Sequence, residues 1–280
     1  MPRREIPFSL TAVPCASATM TVWLSAWLAG AAAPDDVLDA LDPWAEAHDV
    51  VADDESTARI TGLPGPAEQS SSITFLLGAV RKLGGVAPSP ARLVLPVPGD
   101  LRGMPSTGAF SRAAMEAGEG VLLVDIGYGL VPTPVAEGLL RWTVYSVLEV
   151  VPPESHLPLG ETEYGLRDQV RQSASTLTEL GVARHRPGVR QEIENALRER
   201  PTSLWPDGMP SNTLRVLQHA DEVEAILAAA SVDDPGGALT ASAARARTDA
   251  LRPLETAVRL ARRASVAEAV RVLAGIAGRH

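Results

Sequence analysis

The stretch Val121-Leu122-Leu123-Val124-Asp125-Ile126-Gly127-Tyr128-Gly129 contains the clearest fold signal in this chain. Its first six residues are apolar except for Asp125, which is typical of a strand buried on both faces. Gly127 and Gly129 then favour a turn. We therefore predict a buried strand over residues 121–126 that ends in a glycine turn.

Patterns on either side of this strand predict a sheet accompanied by helices. Further strands are predicted over residues 5–13, 91–97 and 140–150, and a hairpin is predicted from residues 48–52 and 58–61 around an acidic turn. Helices are predicted over residues 18–31, 73–84 and 106–118, with another starting at Pro34. The N-terminal part is thus predicted to be a mixed β-sheet with helices, of the α/β or α+β class.

The character of the chain changes at Val151-Pro152-Pro153-Glu154. Beyond this point, apolar spacing predicts helices over residues 161–180, 188–199, 211–230, 239–262 and 264–277, the fourth kinked or broken at Pro253. We therefore divide the chain into a mixed α/β part, residues 1–152, and a helical bundle, residues 153–280. Because the connection is short, the two parts are either separate domains or segments of one fold.

Charge is distributed unevenly along the chain. The formal net charge is -9, and acidic groups outnumber basic groups by 18 to 9 in residues 1–160, whereas residues 161–280 contain 16 of each. The acidic excess therefore belongs to the first part, and the last helices are locally rich in arginine. This segregation favours a contact between the final helices and either the first part or an acidic protein partner.

Cysteine and histidine usage argues against metal and cofactor chemistry. Cys15 is the single cysteine, so the chain has neither an intramolecular disulfide nor a cysteine zinc cluster. No two of the five histidines are three or four residues apart, so no local ligand motif exists. We expect no metal, no cofactor and no catalytic constellation. Cys15 precedes a predicted helix, where a nucleophile served by His48 is conceivable, but we expect it to be a small buried hydrophobe.

The N-terminus imitates an export signal, because Arg3-Arg4 precedes a mostly apolar run from Thr19 to Ala33. Glu5, Pro7 and Pro14 interrupt that pattern. No strongly apolar run reaches the length of about 18 residues that spans a bilayer. We therefore expect a cytoplasmic protein that does not bind membranes.

The loop Gly99 to Thr107 is one candidate ligand site. It follows a predicted strand and precedes a helix for which Ser106 or Thr107 is the predicted N-cap. Free N–H groups at that helix start attract anions, and Arg102 beside Asp100 could act as a charged clamp. No P-loop or dinucleotide fingerprint is present, so we expect an ordinary strand-to-helix loop with an N-cap, and the anion site is the alternative.

Asp125 is a second candidate, since a carboxylate that follows a buried strand occurs in phosphate-binding and metal-binding sites of α/β proteins. One carboxylate does not define such a site. A tight turn between two strands explains Asp125 and its glycines as well.

The last helices contain a row of arginines, Arg245, Arg252, Arg259 and Arg263. The first three are seven residues apart, so an unbroken helix would present them on one face. This row could bind a protein partner or the acidic part of the same chain. A solvated face stabilised by pairs four residues apart is the plain alternative. We expect no nucleic-acid binding, because the pI is near 5.1 and aromatic residues are few.

Three segments resemble uncharacterised conserved proteins of high-GC Gram-positive bacteria, the actinobacteria. They are Leu95 to Gly103, Gly120 to Asp125, and Leu251-Arg252-Pro253-Leu254. The resemblance implies an actinobacterial origin and no known activity. With no catalytic constellation and with segregated charge, we expect a non-enzymatic interaction or regulatory protein. The alternative is a protein or enzyme that binds a small molecule or anion through the Gly99 to Thr107 loop.

Overall fold

The structure is a computed structural model that describes residues 15–84, 90–153, 157–179, 188–199, 205–231 and 241–277. The chain forms two compact units. The first, here called the helical unit, comprises residues 1–14, 160–200 and 216–262. The second, here called the sheet unit, comprises residues 15–159, 201–215 and 263–280. The predicted strand over residues 5–13 lies outside the described residues, and the division at residue 152 stays a prediction.

The sheet unit contains a six-stranded mixed sheet. Its strands are β1 (Ala47–Ala52), β2 (Ser71–Ser72), β3 (Arg92–Val94), β4 (Gly120–Leu123), β5 (Tyr128–Ala136) and β6 (Leu139–Ser146). They are arranged in the order β2-β1-β6-β5-β4-β3. The β1 and β6 strands are parallel, and the other described neighbours are antiparallel. The prediction of a mixed sheet with helices, followed by a helical C-terminal region, is confirmed.

Side chains of β4 alternate between two cores, as the strand period of two requires. Val121 and Leu123 face a large core that also contains Trp142 of β6, whereas Leu122 faces a smaller core with Phe110. All four residues of β4 are buried. The prediction of a strand buried on both faces is therefore confirmed, although it ends at Leu123 and continues as a 3₁₀ turn over Val124–Ile126.

Helices of the sheet unit cover both faces of the sheet. The helices that lie wholly within residues 15–159 of this unit are α1 (Ala16–Leu28), α2 (Pro34–Asp39), α3 (Glu55–Thr61), α4 (Ile73–Gly84) and α5 (Ala109–Ala117). Residues of α1, α2 and α4 form the large core, and α5 contributes to the smaller one. The predictions of a buried helix near residues 18–31, a helix start at Pro34 and a helix over residues 73–84 are confirmed.

The predicted hairpin around residues 53–55 is wrong in its second half. Residues Glu55–Thr61 form helix α3. Asp54 is its N-cap, because its Oδ1 accepts a hydrogen bond of 2.7 Å from the backbone N–H of Thr57. Gly62 ends the helix with a left-handed φ of 78°. The acidic residues therefore start a helix and do not form a turn between strands.

His48 of β1 makes two side-chain hydrogen bonds, one with the segment after α2 and one with the neighbouring strand β6. Its Nε2 lies 2.8 Å from the carbonyl oxygen of Leu41, and the indole Nε1–H of Trp142 donates to its Nδ1 at 3.2 Å. Since a carbonyl only accepts, Nε2 carries the proton and Nδ1 is the acceptor. The neutral ring satisfies both neighbours, whereas a protonated ring would lose the bond from Trp142.

We expect stability to fall as the pH drops below the usual His48 value of 6.5. Burial lowers the pKa of His48, and the Leu41 carbonyl and the Asp42 charge offset only part of this effect. The unfolded chain therefore binds a proton before the folded chain does, so stability rises with pH between the folded pKa and 6.5. Urea denaturation of wild type and His48→Gln from pH 5 to 7.5 measures this contribution.

The His48→Gln variant is expected to show a flatter pH dependence than wild type over this interval. Asp53, whose pKa is raised by burial, acts with the opposite sign and is present in both proteins. The difference between the two profiles therefore reports His48. Equal slopes for the two proteins would contradict the expectation.

The described part of the helical unit consists of helical segments. The helices are α6 (Leu159–Glu179), α7 (Val189–Glu199), α8 (Ser211–Ser231) and α9 (Ala241–Ala277), and α8 and α9 each extend from one unit into the other. The predicted break between residues 262 and 264 is wrong, because α9 is one helix that continues through Pro253. The Arg262-Arg263-Ala264 segment contains no helix-breaking residue, so nothing in it ends the helix.

None of the described helices has both the length and the hydropathy needed to cross a membrane.

Candidate functional site

A cavity of about 530 Å³ lies along edge strand β3 of the sheet unit. Residues 90–93 form one wall, and Val124 and Asp125 at the end of β4 form another. The remaining wall comes mainly from the last turns of α9, between Arg263 and Ala274. The edge strand, a strand end and a helix thus enclose one space within a single compact unit.

Two arginines of this cavity differ in their surroundings. Arg92 donates from Nη1 to the carbonyl oxygen of Pro152 at 2.8 Å and to that of Gly103 at 3.3 Å. Arg263 is 7% exposed. A buried guanidinium remains charged because its pKa is far above neutral pH, so Arg263 is a fixed positive charge in the cavity wall.

Gly103 explains how the loop after β3 approaches Arg263 so closely. A Cβ atom on Gly103 would lie 2.7 Å from Nη2 of Arg263 and 4.0 Å from Cδ of Arg92. The φ of Gly103 is +83°, a conformation that glycine adopts without strain. Any larger residue would displace the guanidinium, so glycine here helps to set the position of Arg263.

Acidic groups also face the cavity. Glu268 pairs with Arg271, with Arg271 donating from Nη2 at 2.6 Å and from Nε at 2.9 Å. Asp125 is exposed at the cavity wall. The described lining therefore contains three guanidinium groups and two carboxylates, and its remaining surface is apolar. Such a surface can bind a small molecule that is partly apolar and partly ionic.

The predicted clamp residues Asp100 and Arg102 bind each other. Arg102 donates from Nε at 2.8 Å and from Nη2 at 2.6 Å to the two carboxylate oxygens of Asp100. This fork pairing raises the pKa of Arg102. Both residues are absent from the described lining of the cavity. Gly103 of the same loop lies against the guanidinium of Arg263, which is part of that lining.

Ser106 and Thr107 do not cap the helix that follows, which corrects the N-cap prediction. Helix α5 starts at Ala109, its N-cap is Gly108, and no side chain caps it by a hydrogen bond. The Thr107 carbonyl instead accepts a hydrogen bond of 2.8 Å from the Ser111 hydroxyl. The loop is longer than predicted because Gly108 adopts a φ of +103°, which is outside the helical range.

The start of α5 is already close to an acidic side chain of this chain. A Cβ on Gly108 would clash with the carboxylate of Glu149, so that carboxylate lies against the Gly108 backbone. A negative group at this end of the helix suits the helix dipole. An external anion at residues 106–108 would compete with Glu149, and the ligand-binding roles of Asp100, Arg102, Ser106 and Thr107 stay predictions.

Asp125 lies in the 3₁₀ turn between β4 and β5, as expected if it belongs to a tight turn between two strands. Gly127 ends that turn with a φ of 71°. The same residue also lines the cavity. Asp125 thus lines the same cavity as Arg92 and Arg263, whereas Asp100 and Arg102 are absent from its described lining.

The predicted arginine row does not form one exposed face. Arg245 is exposed, Arg252 pairs with Asp249 at 3.1 Å, and Arg259 is half-buried and donates to the Thr256 hydroxyl. Arg263 at the end of the row is buried in the sheet unit. The role of these four residues in partner binding stays a prediction.

Cys15 is buried at the start of α1. The carboxylate of Glu119, itself only 8% exposed, accepts a hydrogen bond of 2.7 Å from the backbone N–H of Ser17 in the first turn of that helix. The helix start that could stabilise a thiolate is therefore beside a negative group. Cys15 itself is 7% exposed, and its expected role as a small buried hydrophobe stays a prediction.

Sequence reasoning missed Arg92, Glu268 and Arg271 as cavity residues. Arg92 looked like the polar start of a strand, and the other two looked like a surface pair three residues apart on a helix. The only local signal was Gly103, whose conformational role depends on a residue 160 positions later in the chain. Among the described residues, no group of three or more His, Cys, Asp or Glu side chains has metal-binding geometry.

Comparison with known proteins identifies the family of this chain. One family model, described as the N-terminal domain of Rv1486c-like protein, matches residues 17–156, and another, described as its C-terminal domain, matches residues 160–263. The chain belongs to the Rv1486c-like family. No solved structure matches it.

Three proteins similar to this chain come from mycobacteria. The uncharacterized protein Rv1486c of Mycobacterium tuberculosis H37Rv is 39% identical over 90% of this chain and 96% of its own length. The uncharacterized proteins ML1804 of Mycobacterium leprae and MAV321 of Mycobacterium avium are 36% and 34% identical over the same shares. The resemblance to uncharacterised conserved actinobacterial proteins is thereby confirmed.

Proposed function

We propose that this protein is a non-enzymatic interaction or regulatory protein of the bacterial cytoplasm, and that it binds a protein partner through an apolar segment after β6. The supporting observation is the exposure of Leu148 and Val150, whose accessible fractions are 92% and 91%. Single exposed apolar residues are common, but these two lie one residue apart in one short segment and together offer an apolar surface that a partner could cover.

The segment from Val147 to Val151 presents these side chains in a fixed direction. Val147 is buried in the smaller core, its backbone N–H donates to the Gly127 carbonyl at 2.8 Å, and Val151 packs against the same core. Between them, Leu148 and Val150 alternate outward, as in a strand. Because both ends of the segment are anchored, the two side chains cannot turn into the core, and a partner with an apolar surface would remove them from water.

Affinity capture from an extract of the native bacterium tests this proposal. Wild type is expected to retain a reproducible set of proteins that the double variant Leu148→Ser/Val150→Ser loses. Ile60→Ser is the matched control, because Ile60 is an exposed apolar residue on α3, with an accessible fraction of 53%. The proposal fails if the double variant captures the same proteins as wild type, or if repeated captures with wild type retain none. Analytical ultracentrifugation of the same variants distinguishes self-association from a different partner.

A second candidate function is the binding of a small molecule or anion, which the cavity along β3 favours. The sequence placed such a site on the Gly99 to Thr107 loop with Arg102 as its clamp. The pairing of Arg102 with Asp100 and the position of Glu149 support the cavity over the loop as the place for it. Equilibrium binding of small anions to wild type and Arg102→Gln distinguishes the two places.

A further inference from the structure

We infer that the cavity along β3 binds a small organic anion, a carboxylate or a phosphate monoester attached to a short apolar body. This inference deepens the second candidate function and rests on it. The cavity volume of about 530 Å³ lies within the range of about 300–1,000 Å³ usual for small-molecule sites.

Positive charge in the cavity comes from three positions that converge from different parts of the chain. Arg92 belongs to the edge strand, and Arg263 and Arg271 are eight residues apart on α9. Against them stand Asp125 and Glu268, so the described lining has a net charge of +1. A guanidinium attracts a carboxylate or phosphate by its charge and by its N–H donors. Arg271 already makes a paired interaction with Glu268, so its contribution to the cavity is its charge.

The site is preorganised around Gly103. The guanidinium of Arg263 lies against the Gly103 backbone, while Arg92 donates to the carbonyl of Gly103. Burial of Arg263 lowers the local dielectric constant, which strengthens its attraction for an anion. Little side-chain ordering is then needed on binding, and this reduces the entropic cost.

The rest of the wall selects for an apolar body. Partly exposed apolar side chains also line the cavity, namely Val124, Leu157, and Ala267 and Ala274 of α9. A bare inorganic anion would leave this apolar surface in contact with water, whereas an alkyl chain would cover it. The apolar wall and the guanidinium groups together favour amphipathic anions over inorganic phosphate.

Isothermal titration calorimetry at low ionic strength tests the inference with four probes: hexanoate, hexyl phosphate, inorganic phosphate and hexylammonium. Wild type is expected to bind at least one of the two amphipathic anions, inorganic phosphate about tenfold or more weakly, and hexylammonium not measurably. No binding of hexanoate or hexyl phosphate at millimolar concentration, or equal binding of hexylammonium, would overturn the inference.

Variants locate the bound anion. Arg271→Gln is expected to weaken binding about fivefold, since Arg271 is largely exposed and its charge is screened. Asp125→Asn is expected to tighten binding about threefold, because it removes a repelling charge. Arg252→Gln is the matched control and should leave binding unchanged. Its residue lies on the same helix, pairs with an acid three positions earlier and has 69% side-chain exposure against 66% for Arg271.

The outcomes separate this inference from the proposals beneath it. Weakening by Arg102→Gln with no effect of Arg271→Gln would move the anion to the Gly99 to Thr107 loop, so the second candidate function would survive and the cavity assignment would fall. An equal loss in Arg252→Gln and Arg271→Gln would show a nonspecific charge effect and would also overturn the assignment. Partner capture through Leu148 and Val150 is measured independently.

Discussion

Replacing Trp142 with alanine is expected to lower the free energy of unfolding of the sheet unit by about 3–5 kcal/mol. Trp142 is fully buried and belongs to the large core. It lies on β6, between Val50 of β1 and Pro132 of β5 in the described register. Truncation would leave a cavity at the junction of the parallel and antiparallel ladders, where the surrounding strands have little freedom to collapse.

The variant Trp142→Phe separates packing from hydrogen bonding at this position. It keeps most of the buried ring but removes the N–H that donates to His48 Nδ1. We expect a loss of about 1–2 kcal/mol, which is the usual cost of an unsatisfied buried acceptor and a smaller ring. The smaller loss should be accompanied by a weaker pH dependence below 6.5, because His48 no longer loses a bond on protonation.

Urea denaturation followed by circular dichroism measures both losses, and hydrogen exchange of β5 and β6 assigns them to the sheet unit. Leu148→Ala is the control, since Leu148 is 92% exposed and its truncation should change stability by less than about 0.5 kcal/mol. A loss below about 1 kcal/mol for Trp142→Ala would contradict the central position of this side chain in the core.

Replacing Arg262 with methionine is expected to destabilise the helical unit by about 2–4 kcal/mol. The Arg262 side chain is 7% exposed and faces two acids of α8. It donates to Glu224 from Nη1 at 3.1 Å and from Nη2 at 2.9 Å, and Nη2 also bonds Asp221. Methionine preserves most of the apolar stem, so the measured loss reports the charged head group.

The expected loss lies below the full cost of breaking a buried ion pair because the acids are partly hydrated. The side chains of Asp221 and Glu224 are 43% and 22% exposed, so water stabilises them when the guanidinium is gone. Hydrogen exchange of α8 and of residues 241–262 localises the effect. Arg252→Met, at an exposed pair on the same helix, should change stability by less than about 0.5 kcal/mol. Comparable losses in the two variants would refute the assignment.

The two candidate functions rest on different surfaces of the sheet unit. Partner binding uses the outward side chains of Leu148 and Val150, and ligand binding uses the cavity beside β3. One hydrogen bond joins the two regions: Arg92, which lines the cavity, donates to the carbonyl of Pro152, two residues after Val150.

Strand β5 shows why local pattern was insufficient in one region. Pro132 and Pro134 argue against a strand, because proline cannot donate to a ladder. In the described sheet, β5 pairs with β4 only as far as Leu130. The residues of β5 after Leu130 pair with β6 on one side and have no described strand on the other. Prolines are tolerated on such an edge, and residues 133–136 are exposed. Because β4 is short, the part of β5 that contains the two prolines has no described partner on that side, and the strand can form there.

Local chemistry was sufficient where one short segment specifies its own structure. The buried strand at residues 121–123, helix α4 and the helix start at Pro34 follow from apolar spacing and backbone preference alone, so the sequence by itself determined them. Helix α3 was missed because a cap and a turn use the same acidic residues. The hydrogen bond that Asp54 accepts from the Thr57 N–H distinguishes a helix cap from a turn.

The cavity depended on tertiary structure entirely. Arg92, Asp125 and Arg263 lie far apart in sequence, and each has an ordinary local explanation as a strand start, a turn acid or a helix cation. The sequence by itself determined the fold class, the charge balance and the family pattern, because these depend on composition and short-range spacing. Only the tertiary structure brought three guanidinium groups into one cavity, because a glycine at residue 103 leaves room for an arginine at residue 263.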